Sequence, residues 1–364
     1  MIPSAKTGVL MAQLGTPDAP TPQALRTYLR QFLSDMRVID YHPLLWQPIL
    51  RGIILRTRPS KSAKLYQRIW LDDGSPLLVY SKQQAAGLQQ RLGDAYRVVI
   101  GMTYGNPSIA NALQTFANEG IDQIVVLPMF PQFSSTTTSS VYDAVYQAAA
   151  GKTHSFSHDR KRFTPALRFI APYYDHSGYI QAMRDHLQSE VARLPALPDK
   201  FVISFHGIPK RYVATGDPYR EQCEHTANLL AEAMGWQDDD WVLTFQSQFG
   251  PEKWLEPATD TVLESLHEQG VERPLIFSPG FVTDCLETLD ELGNEGREQF
   301  AEGGGDEAKF HFASCLNAND DFMDTLAQLV TENAAGWAYP VSEAMLQAAE
   351  VSIVGTQHAA SDPG

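Results

Sequence analysis

The sequence predicts an α/β protein built of two similar halves, each a parallel sheet flanked by helices, with a cleft between the halves. Its length of 364 residues suits two domains of roughly 100–200 residues each. Continuous apolar runs, rather than alternating ones, are typical of strands covered on both faces, as in parallel sheets. These runs occupy 8–15, 96–105, 123–130, 166–172, 200–206, 241–248 and 274–280. A pattern of strand, Gly/Pro turn, helix and strand occurs twice, at 97–130 and 241–281, and this repeat predicts the two halves.

The first half begins with strand 8–15, which ends at a Gly-Thr-Pro turn. A helix over 21–33 follows, because a Thr before a Pro is a start signal. The first half is longer than the second between matching turns, and the extra residues fall near 37–82. Long insertions into compact α/β units are often functional lids, so we expect a lid there.

The repeat divides the chain into a few units. We expect a first domain at 1–175 that contains the lid insertion, a second domain at 176–314, a C-terminal helix at 315–335 that packs back on the core, and a tail at 336–364. In open parallel sheets, ligands bind outside the carboxyl ends of the strands. The expected functional site is therefore the cleft between the two halves.

Composition limits the partners and the compartment. With 28 Lys and Arg against 43 Asp and Glu, the net charge is −15, which leaves no surplus of positive charge for nucleic-acid phosphates. The three cysteines, Cys223, Cys285 and Cys315, are scattered and form no C-x-x-C pair, which argues against a disulfide framework and a zinc ribbon. A reducing, cytoplasmic compartment fits best, because the sequence also shows no export signal and no stretch apolar enough to span a bilayer.

The expected lid has an amphipathic composition. Trp46, Leu50, Ile53 and Ile54 can form an apolar face beside several Arg and Lys residues. This composition suits a segment that touches a membrane surface. It suits equally well an ordinary helix that packs on the core and has basic flanks, so both interpretations stay open.

His206 is the first candidate for chemistry, because it is the last residue of strand 200–206. Its side chain emerges at the C-terminal edge of the sheet, where ligands bind. Gly207 lets the chain turn sharply and lets a ligand approach the backbone. A histidine in this place can accept a proton near neutral pH, and a purely structural histidine is the alternative.

An acidic segment after strand 274–280 is the second candidate. Asp284, Glu287 and Glu291 are spaced i, i+3 and i+7, so they share one face of the predicted helix. Asp284 is also placed to cap that helix, with Glu287 at the third position of a capping box. Neighbouring carboxylates repel each other unless a cation or a proton lies among them, and oxygen ligands suit Fe²⁺ and Mg²⁺. The alternative is a solvated acidic face on an acidic protein.

The run SSTTTSS at 134–140 is the third candidate. It places seven hydroxyl side chains at a transition from strand to helix. Hydroxyls and helix N-termini bind anions, carboxylates included. Simple capping of the following helix is the alternative explanation.

Three common signatures are missing from the sequence. It contains no G-x-x-x-x-G-K-[ST], no G-x-G-x-x-G after a strand and no G-x-S-x-G. These absences argue against a P-loop nucleotide site, a dinucleotide-binding site and a hydrolase nucleophile elbow.

Several longer blocks together resemble the ferrochelatase family, enzymes that insert ferrous iron into a porphyrin at the end of haem synthesis. The blocks are DDGSPLLVYSKQ (72–83), PMFPQFSSTTTSS (128–140), SFHGIP (204–209), GDPY (216–219), QSQFGPEKWLEPATD (246–260) and FVTDCLETLDELG (281–293). The resemblance covers about residues 7–332, and the blocks in this order are far more specific than any one of them. It implies two Rossmann-like domains that grip the porphyrin between them.

The resemblance also implies roles for individual residues. His206 is implied as the active-site histidine and Glu287 as its partner acid, both in catalysis and in contact with the metal. Asp284 and Glu291 match an acidic line that would carry protons or metal. The implied porphyrin contacts are Phe281, Trp254, Ser134, Thr136, Leu50 and Ile53. The lid near 37–58 matches a lip that closes over the ring and, in related enzymes, touches the membrane.

The chemistry of the reaction fits these residue types. A porphyrin loses two pyrrole protons as the metal enters, so a neutral histidine at the ring face can accept protons that a carboxylate row then moves away. Bending the flat ring exposes its nitrogens, and binding energy from the lid and the propionates would offset that distortion. Arg30, Arg56, Lys82 and the hydroxyl run are candidates for holding the propionates, and the sequence does not choose among them.

The sequence departs from the family pattern at one position near the proposed site. The family often has a second histidine two residues before the glutamate; Cys285 stands there, and a thiolate is an alternative contact for iron. Some relatives carry a [2Fe–2S] cluster on clustered C-terminal cysteines. No cysteine follows Cys315, so we expect no such cluster and no permanently bound cofactor, with Fe²⁺ as substrate.

Alternatives remain for substrate and function. Protoporphyrin is the favoured iron acceptor, with coproporphyrin as the other version of the haem route. A different tetrapyrrole chelatase and a two-lobed solute-binding protein that performs no reaction are the remaining alternatives. We expect a monomer without nucleic-acid partners, in the cytoplasm, with peripheral contact to the inner face of the membrane as an open question.

Overall fold

The structure, a computed structural model, describes residues 6–151, 161–248 and 250–337. Its strands are β1 Thr7–Thr16, β2 Tyr96–Gly105, β3 Gln123–Pro128, β4 Ala166–Phe169, β5 Lys200–His206, β6 Trp241–Gln246, β7 Pro274–Phe277 and β8 His311–Phe312. Its α-helices are α1 Pro22–Phe32, α2 Pro43–Ile49, α3 Leu55–Ile69, α4 Pro76–Leu92, α5 Ile109–Asn118, α6 Ser140–Ala150, α7 Ser177–Ala192, α8 Lys210–Ala214, α9 Tyr219–Met234, α10 Thr259–Leu266, α11 Gly296–Glu302 and α12 Asp320–Ala334. Short 3₁₀ turns lie at Gly93–Ala95 and Glu307–Lys309, and π-helical segments at Leu50–Ile54, Ser135–Ser139 and Glu287–Glu295.

The strands form two parallel sheets of four strands each, in the orders β2-β1-β3-β4 and β6-β5-β7-β8. The two orders are the same when β5, β6, β7 and β8 are matched to β1, β2, β3 and β4. The internal repeat predicted from the sequence is therefore confirmed. The α/β class with two parallel sheets is confirmed as well. In each half a central strand, β1 or β5, lies between two parallel neighbours. The carboxyl ends of these three strands therefore lie at the same edge of the sheet.

All seven predicted apolar runs contain a strand, but several strands are shorter than the runs. β3 ends at Pro128 and β7 at Phe277, because the residues beyond them leave the sheet to enter the loops before the π-helices. β8, of two residues, was missed, since a strand this short has no recognisable apolar pattern.

The first predicted helix begins where its start signal placed it. The Thr21 hydroxyl caps α1 by accepting a hydrogen bond from the backbone N–H of Ala24 at 3.3 Å. The helix buries Leu25, Tyr28 and Leu29 on one face.

The expected insertion consists of two different structures. Residues 43–69, which we call the lid, form a helical stretch in which a π-helical segment joins α2 to α3. Within this stretch, α3 packs on α1. α4 is no part of the lid, because it packs against β1, β2 and α12 as an ordinary layer helix. The lid is tied to the second half by Arg68, whose Nη2 lies 3.0 Å from Oδ2 of the buried Asp290.

The two halves share a hydrophobic core. α12 contacts α4, α7, β3 and β4, and one apolar cluster includes Val125 of the first half, Phe205 of the second and Leu326 of α12. The C-terminal helix thus packs back on the core. The proposed domain boundaries stay a prediction, and most of the predicted tail, residues 338–364, lies outside the described residues. None of the helices in the described ranges combines the length and apolar character that crossing a membrane requires.

Candidate active site

His206 and Gln246 lie side by side at the C-terminal edge of the second sheet, at the ends of β5 and β6. The turn after His206 requires glycine at 207, because a Cβ there would come within 2.8 Å of the Gln246 carbonyl oxygen and 3.2 Å of the Trp254 ring. The backbone N–H of Gly207 donates to that same carbonyl at 2.8 Å. The strand end, the glycine and the tryptophan therefore fix where the imidazole emerges.

The His206 ring is set up to accept a proton. Its Nδ1 lies 2.6 Å from the Gly207 carbonyl oxygen, and because a carbonyl can only accept, Nδ1 carries the hydrogen and Nε2 keeps a free lone pair. Burial lowers the pKa of His206 below its usual value, and the nearby Glu287 carboxylate opposes that shift in part. The imidazole is accordingly neutral at pH 7.

Two aromatic side chains named from the sequence lie beside this histidine. The Phe281 ring centroid is 6.3 Å from that of His206, with the planes inclined by 53°. Trp254 covers Gly207 and pairs with Pro209 in an isolated bridge. The structure thus brings His206, Phe281 and Trp254 together.

Glu287 begins the π-helix Glu287–Glu295, which we call the acidic π-helix. Its carboxylate acts electrostatically on His206 of the second half and on the buried Tyr28 and Tyr66 of the first half. Burial is the main cause that raises the pKa of both tyrosines, and this carboxylate adds to it. Glu287 is half-buried and acts on groups of both halves, including the histidine.

Glu291 continues the acidic row one turn further along the π-helix. Both of its carboxylate oxygens accept from the Ser247 hydroxyl, at 2.9 and 2.7 Å. Burial raises the pKa of Glu291 to about 7, the Ser247 hydrogen bond opposes that rise, and Glu287 and Glu295 add to it. Glu287, Glu291 and Glu295 thus form a line of interacting carboxylates, in which Glu291 changes protonation near neutral pH.

Asp284 was expected in this line, and the structure places it elsewhere. Its side chain is buried, and its oxygens accept from the Thr288 hydroxyl at 3.0 Å, the Cys315 backbone N–H at 3.1 Å and the Asn317 amide at 2.7 Å. The expected capping box is absent, because the π-helix begins at Glu287 with no side-chain cap. Asp284 fastens the loop before the helix to the segment after β8, and the row extends to Glu295 instead.

The hydroxyl run does bind a carboxylate, but one that belongs to the chain itself. Oδ2 of Asp217 accepts from the Ser134 hydroxyl at 3.1 Å and from the N–H and hydroxyl of Ser135, both at 2.7 Å. The Thr136 hydroxyl lies 3.0 Å from that of Ser134. The predicted porphyrin contacts Ser134 and Thr136 are therefore engaged in a clasp between the halves, and Ser134 also caps the π-helix Ser135–Ser139.

The two lid residues predicted to contact porphyrin differ in their surroundings, and their role stays a prediction. Leu50 has no exposed surface and packs in a cluster with Tyr28 and Leu29 of α1. Ile53 is 58% exposed. It belongs to a set of exposed apolar side chains on and before the lid, together with Met36, Tyr41, Leu44, Leu45 and Ile49.

Two of the three basic candidates for propionates lie in one place. Arg30 and Arg56 line a cleft of about 820 Å³ between α1 and the lid, together with Arg26 and Arg51. Within the described residues, none of these four arginines forms an ion pair with a carboxylate. Lys82 lies in a different groove, along β2.

Cys285 is unsuited to act as a thiolate. All three cysteines are buried and free, and burial, with Glu287 close by, raises the pKa of the Cys285 thiol well above its usual value. The alternative in which a thiolate contacts iron therefore loses support. Within the described ranges, no three His, Cys, Asp or Glu side chains are arranged to hold a metal ion among themselves.

Sequence reasoning missed Gln246, Ser247 and Asp217. Gln246 donates from Nε2 to the Glu287 carbonyl oxygen at 2.8 Å and accepts from the Ser204 hydroxyl at 3.0 Å. The available signal was position, since Gln246 ends the strand beside His206, Ser247 follows it, and both lie in a block shared with the resembling family. Asp217 also lies in such a block, but its role was hidden because its partners Ser134 and Ser135 are more than 80 residues away in the chain.

Comparisons with known proteins point to one family. A family model described as ferrochelatase matches residues 6–334. The chain is 48% identical to the ferrochelatase of Alcanivorax borkumensis, over 91% of this chain and 95% of the relative. It is 46% identical to ferrochelatase 1 of Shewanella oneidensis, over 92% and 98%, and 45% identical to the ferrochelatase of Escherichia coli, over 89% and 98%.

Solved structures share the fold. SirB from Bacillus subtilis with Fe³⁺ matches with a TM-score of 0.51 at 16% identity, over 72% of this chain and 92% of that one. The sirohydrochlorin chelatase SirB from Bacillus subtilis subspecies spizizenii, in complex with cobalt, matches with a TM-score of 0.53 at 10% identity, over 90% and 95%. At these identities the likeness concerns the fold alone.

Proposed function

The chain belongs to the ferrochelatase family, and we propose that His206 and the acidic π-helix carry out its reaction on a porphyrin held between the two halves. The protein is a metal chelatase of the lyase class that inserts Fe²⁺ into protoporphyrin IX, giving protohaem and two protons in the last step of haem synthesis. Ferrous iron and the porphyrin are its substrates. None of the relatives above favours coproporphyrin, another tetrapyrrole or a solute-binding role.

The observation that carries the proposed mechanism is the neutral imidazole of His206 opposite Glu287. Because Nδ1 is held by the Gly207 carbonyl oxygen, Nε2 is the atom that takes a pyrrole proton. The imidazolium that forms is stabilised by the Glu287 carboxylate, the group that already acts on His206 in the unprotonated site. Glu291, whose pKa is about 7, can then hold the proton on its way out.

His206 and Glu287 are also the proposed contacts of the entering iron. Two protein groups are too few for a closed metal site, and the porphyrin nitrogens supply the remaining ligands as the ion enters the ring. This arrangement suits a metal that passes through rather than stays. Phe281 and Trp254 would contact the macrocycle next to the histidine.

We propose the basic cleft of Arg26, Arg30, Arg51 and Arg56 as the place that attracts the propionates. Arginine pairs well with carboxylates, and these four side chains have no carboxylate partner among the described residues. Because the cleft lies between α1 and the lid, an anion there would also hold the lid against α1.

We further propose peripheral contact of the lid with a membrane surface and a monomeric state. Leu44 is 79% exposed and Leu45 70%, and such adjacent apolar side chains beside arginines suit the interface of a bilayer. Flotation with lipid vesicles tests the contact, since replacing both leucines by serine is expected to reduce the bound fraction.

Anaerobic insertion assays test the reaction. Protein, ferrous iron and either protoporphyrin or coproporphyrin are mixed, and the Soret band is followed. We expect protoporphyrin to turn over faster, and His206→Ala to reduce kcat by about 10²–10⁴ while porphyrin still binds. Unchanged free-base absorbance with bound porphyrin would indicate a binding protein, and a normal rate for His206→Ala would remove the histidine from the mechanism.

A further inference from the structure

Ser247 lies at the meeting point of the second sheet and the acidic π-helix. It directly follows Gln246, the residue paired with His206 across the ends of β6 and β5. Its hydroxyl is the donor for both oxygens of Glu291, at 2.9 and 2.7 Å. A single hydroxyl thus connects the strand edge that carries the histidine to the second carboxylate of the row.

The backbone of Ser247 has an unusual conformation for its residue type. Its φ is +63°, in the left-handed region, where only one other described non-glycine residue, Asn317, is found. Side chains other than glycine rarely adopt this conformation, and such residues concentrate at functional sites. Here the conformation turns the chain directly after β6 while the hydroxyl meets the carboxylate of Glu291.

The neighbouring Gln246 fixes the same helix at a second point. Its Nε2 donates to the Glu287 carbonyl oxygen at 2.8 Å, and its Oε1 accepts from the buried Ser204 hydroxyl at 3.0 Å. The π-helix is therefore held by its backbone at Glu287 and by a side chain at Glu291. Gln246 holds the helix backbone and adds a weaker hydrogen-bonding effect on Glu291, whereas the Ser247 hydroxyl donates to both oxygens of that carboxylate.

The charges around Glu291 make this contact matter. Glu287 and Glu295 on the π-helix repel its ionised form, and burial disfavours that form further. Arg68 of the lid lies 3.0 Å from Asp290 and 3.5 Å from Glu295. The Glu287 carboxylate in turn acts to raise the pKa of His206 at the end of β5. Two side chains favour the ionised form of Glu291 by hydrogen bonding: the Ser247 hydroxyl, which contributes more, and the Gln246 amide. Ser247 donates to both carboxylate oxygens.

We propose that Ser247 is a positioning residue for proton removal, which aims the Glu291 carboxylate along the acidic row and keeps it able to accept a proton. The inference rests on the proposed role of Glu291 in carrying protons. Ser247 itself touches neither substrate nor the reacting nitrogens in this scheme. Losing its hydroxyl should slow turnover and leave porphyrin affinity unchanged.

The test compares two replacements that both tolerate a left-handed backbone. Ser247→Gly removes the hydroxyl without strain, whereas Ser247→Asn keeps a hydrogen-bond donor. We expect Ser247→Gly to lower kcat on the order of tenfold, with KM for porphyrin unchanged, and to move the acidic limb of the kcat profile to higher pH. Ser247→Asn should retain much of the wild-type kcat and pH profile. Thermal melting checks that each variant is folded.

Combining the variants with Glu291→Gln separates this inference from the proposed path. If Ser247 acts through Glu291, Ser247→Gly should lower kcat no further in the Glu291→Gln background. Wild-type kcat and pH profile in a folded Ser247→Gly variant, or equal losses in both backgrounds, would overturn the role of Ser247. Wild-type turnover in Glu291→Gln would instead overturn the path on which it rests.

Discussion

The two halves carry π-helices at matching places, and their chemistry is opposite. In the first half, Ser135–Ser139 follows β3 and precedes α6; in the second, Glu287–Glu295 follows β7 and precedes α11. The hydroxyl-rich helix is satisfied by Asp217 of the other half. The acidic helix keeps its carboxylates close together beside His206, with a raised pKa at Glu291.

This difference shows that two copies of one fold can carry different functions. The same backbone arrangement supplies a fastening point in one half and a titrating row in the other. A carboxylate surrounded by donors is a stable link, whereas a carboxylate surrounded by other carboxylates changes its protonation easily. The predictions below test whether the roles divide in this way.

The largest effect is expected in the acidic π-helix. Glu287→Gln should reduce kcat by about 10²–10³, because the imidazolium of His206 would lose its stabilising charge. Glu295→Gln, at the half-buried outer end of the same row and paired with Arg68, is the matched control and should change kcat little because it lies furthest from His206 along the row. Iron insertion rates at saturating porphyrin check both variants. Equal losses of kcat would contradict the idea that the end of the row next to His206 matters more than the outer end.

In the hydroxyl-rich π-helix the expected effect is on stability. Asp217→Asn should lower the free energy of unfolding by about 1.5–3 kcal/mol, because several hydrogen bonds to a buried charge are weakened. Asp143→Asn serves as control, since Asp143 pairs with Arg37 at the surface and should lose only about 0–1 kcal/mol. Urea unfolding measures both, and a larger loss for Asp143→Asn would contradict the clasp.

The pH dependence of stability should also distinguish the halves. The folded pKa of Glu291 is about 7, above its ordinary value of 4.5. A raised carboxyl pKa stabilises the folded state below the ordinary pKa, and this stabilisation is lost as pH rises through about 7. Glu291→Gln should therefore gain stability relative to wild type between pH 5 and pH 8. Melting curves of both proteins at pH 5 and pH 8 check this. An equal change of stability in the variant and the wild type between the two pH values would contradict it.

The smallest effect is expected in the basic cleft. Arg30→Gln and Arg56→Gln should each raise KM for porphyrin about threefold, and less at high salt, because the contacts are exposed and screened. Lys82→Gln, in a separate groove, should leave KM unchanged. Steady-state kinetics at two salt concentrations measures these KM values. A change in KM for Lys82→Gln alone would show that the propionates do not bind in the basic cleft.

Much of the fold could be predicted because its signals are local. Continuous apolar runs and turn residues indicated seven of the eight strands, and the Thr21 cap marked the start of α1. His206 was found because a strand end is visible in sequence. The spacing of acidic residues singled out Glu287, and the family resemblance added Phe281 and Trp254; the structure places Phe281 and Trp254 beside His206.

What the sequence left undecided at the site has a common physical cause. Asp284 was expected in a proton or metal path and Ser134 was implied as a porphyrin contact, but both form hydrogen bonds with groups far away in the chain. For Leu50 and Ile53, also implied as porphyrin contacts, a helical pattern shows which residues are apolar but not what covers them. A polar group near a site is available to a substrate only if the protein does not satisfy it first.

By itself, the sequence determined the two repeated α/β halves, the position of the histidine and the excess of acid, because apolar pattern, turn chemistry and composition act over short distances. Only the tertiary structure decided which acids share a row, which carboxylate fills the hydroxyl run and which serine donates to Glu291. Those outcomes depend on groups brought together across the two sheets, where burial and mutual charge set protonation and hydrogen bonding.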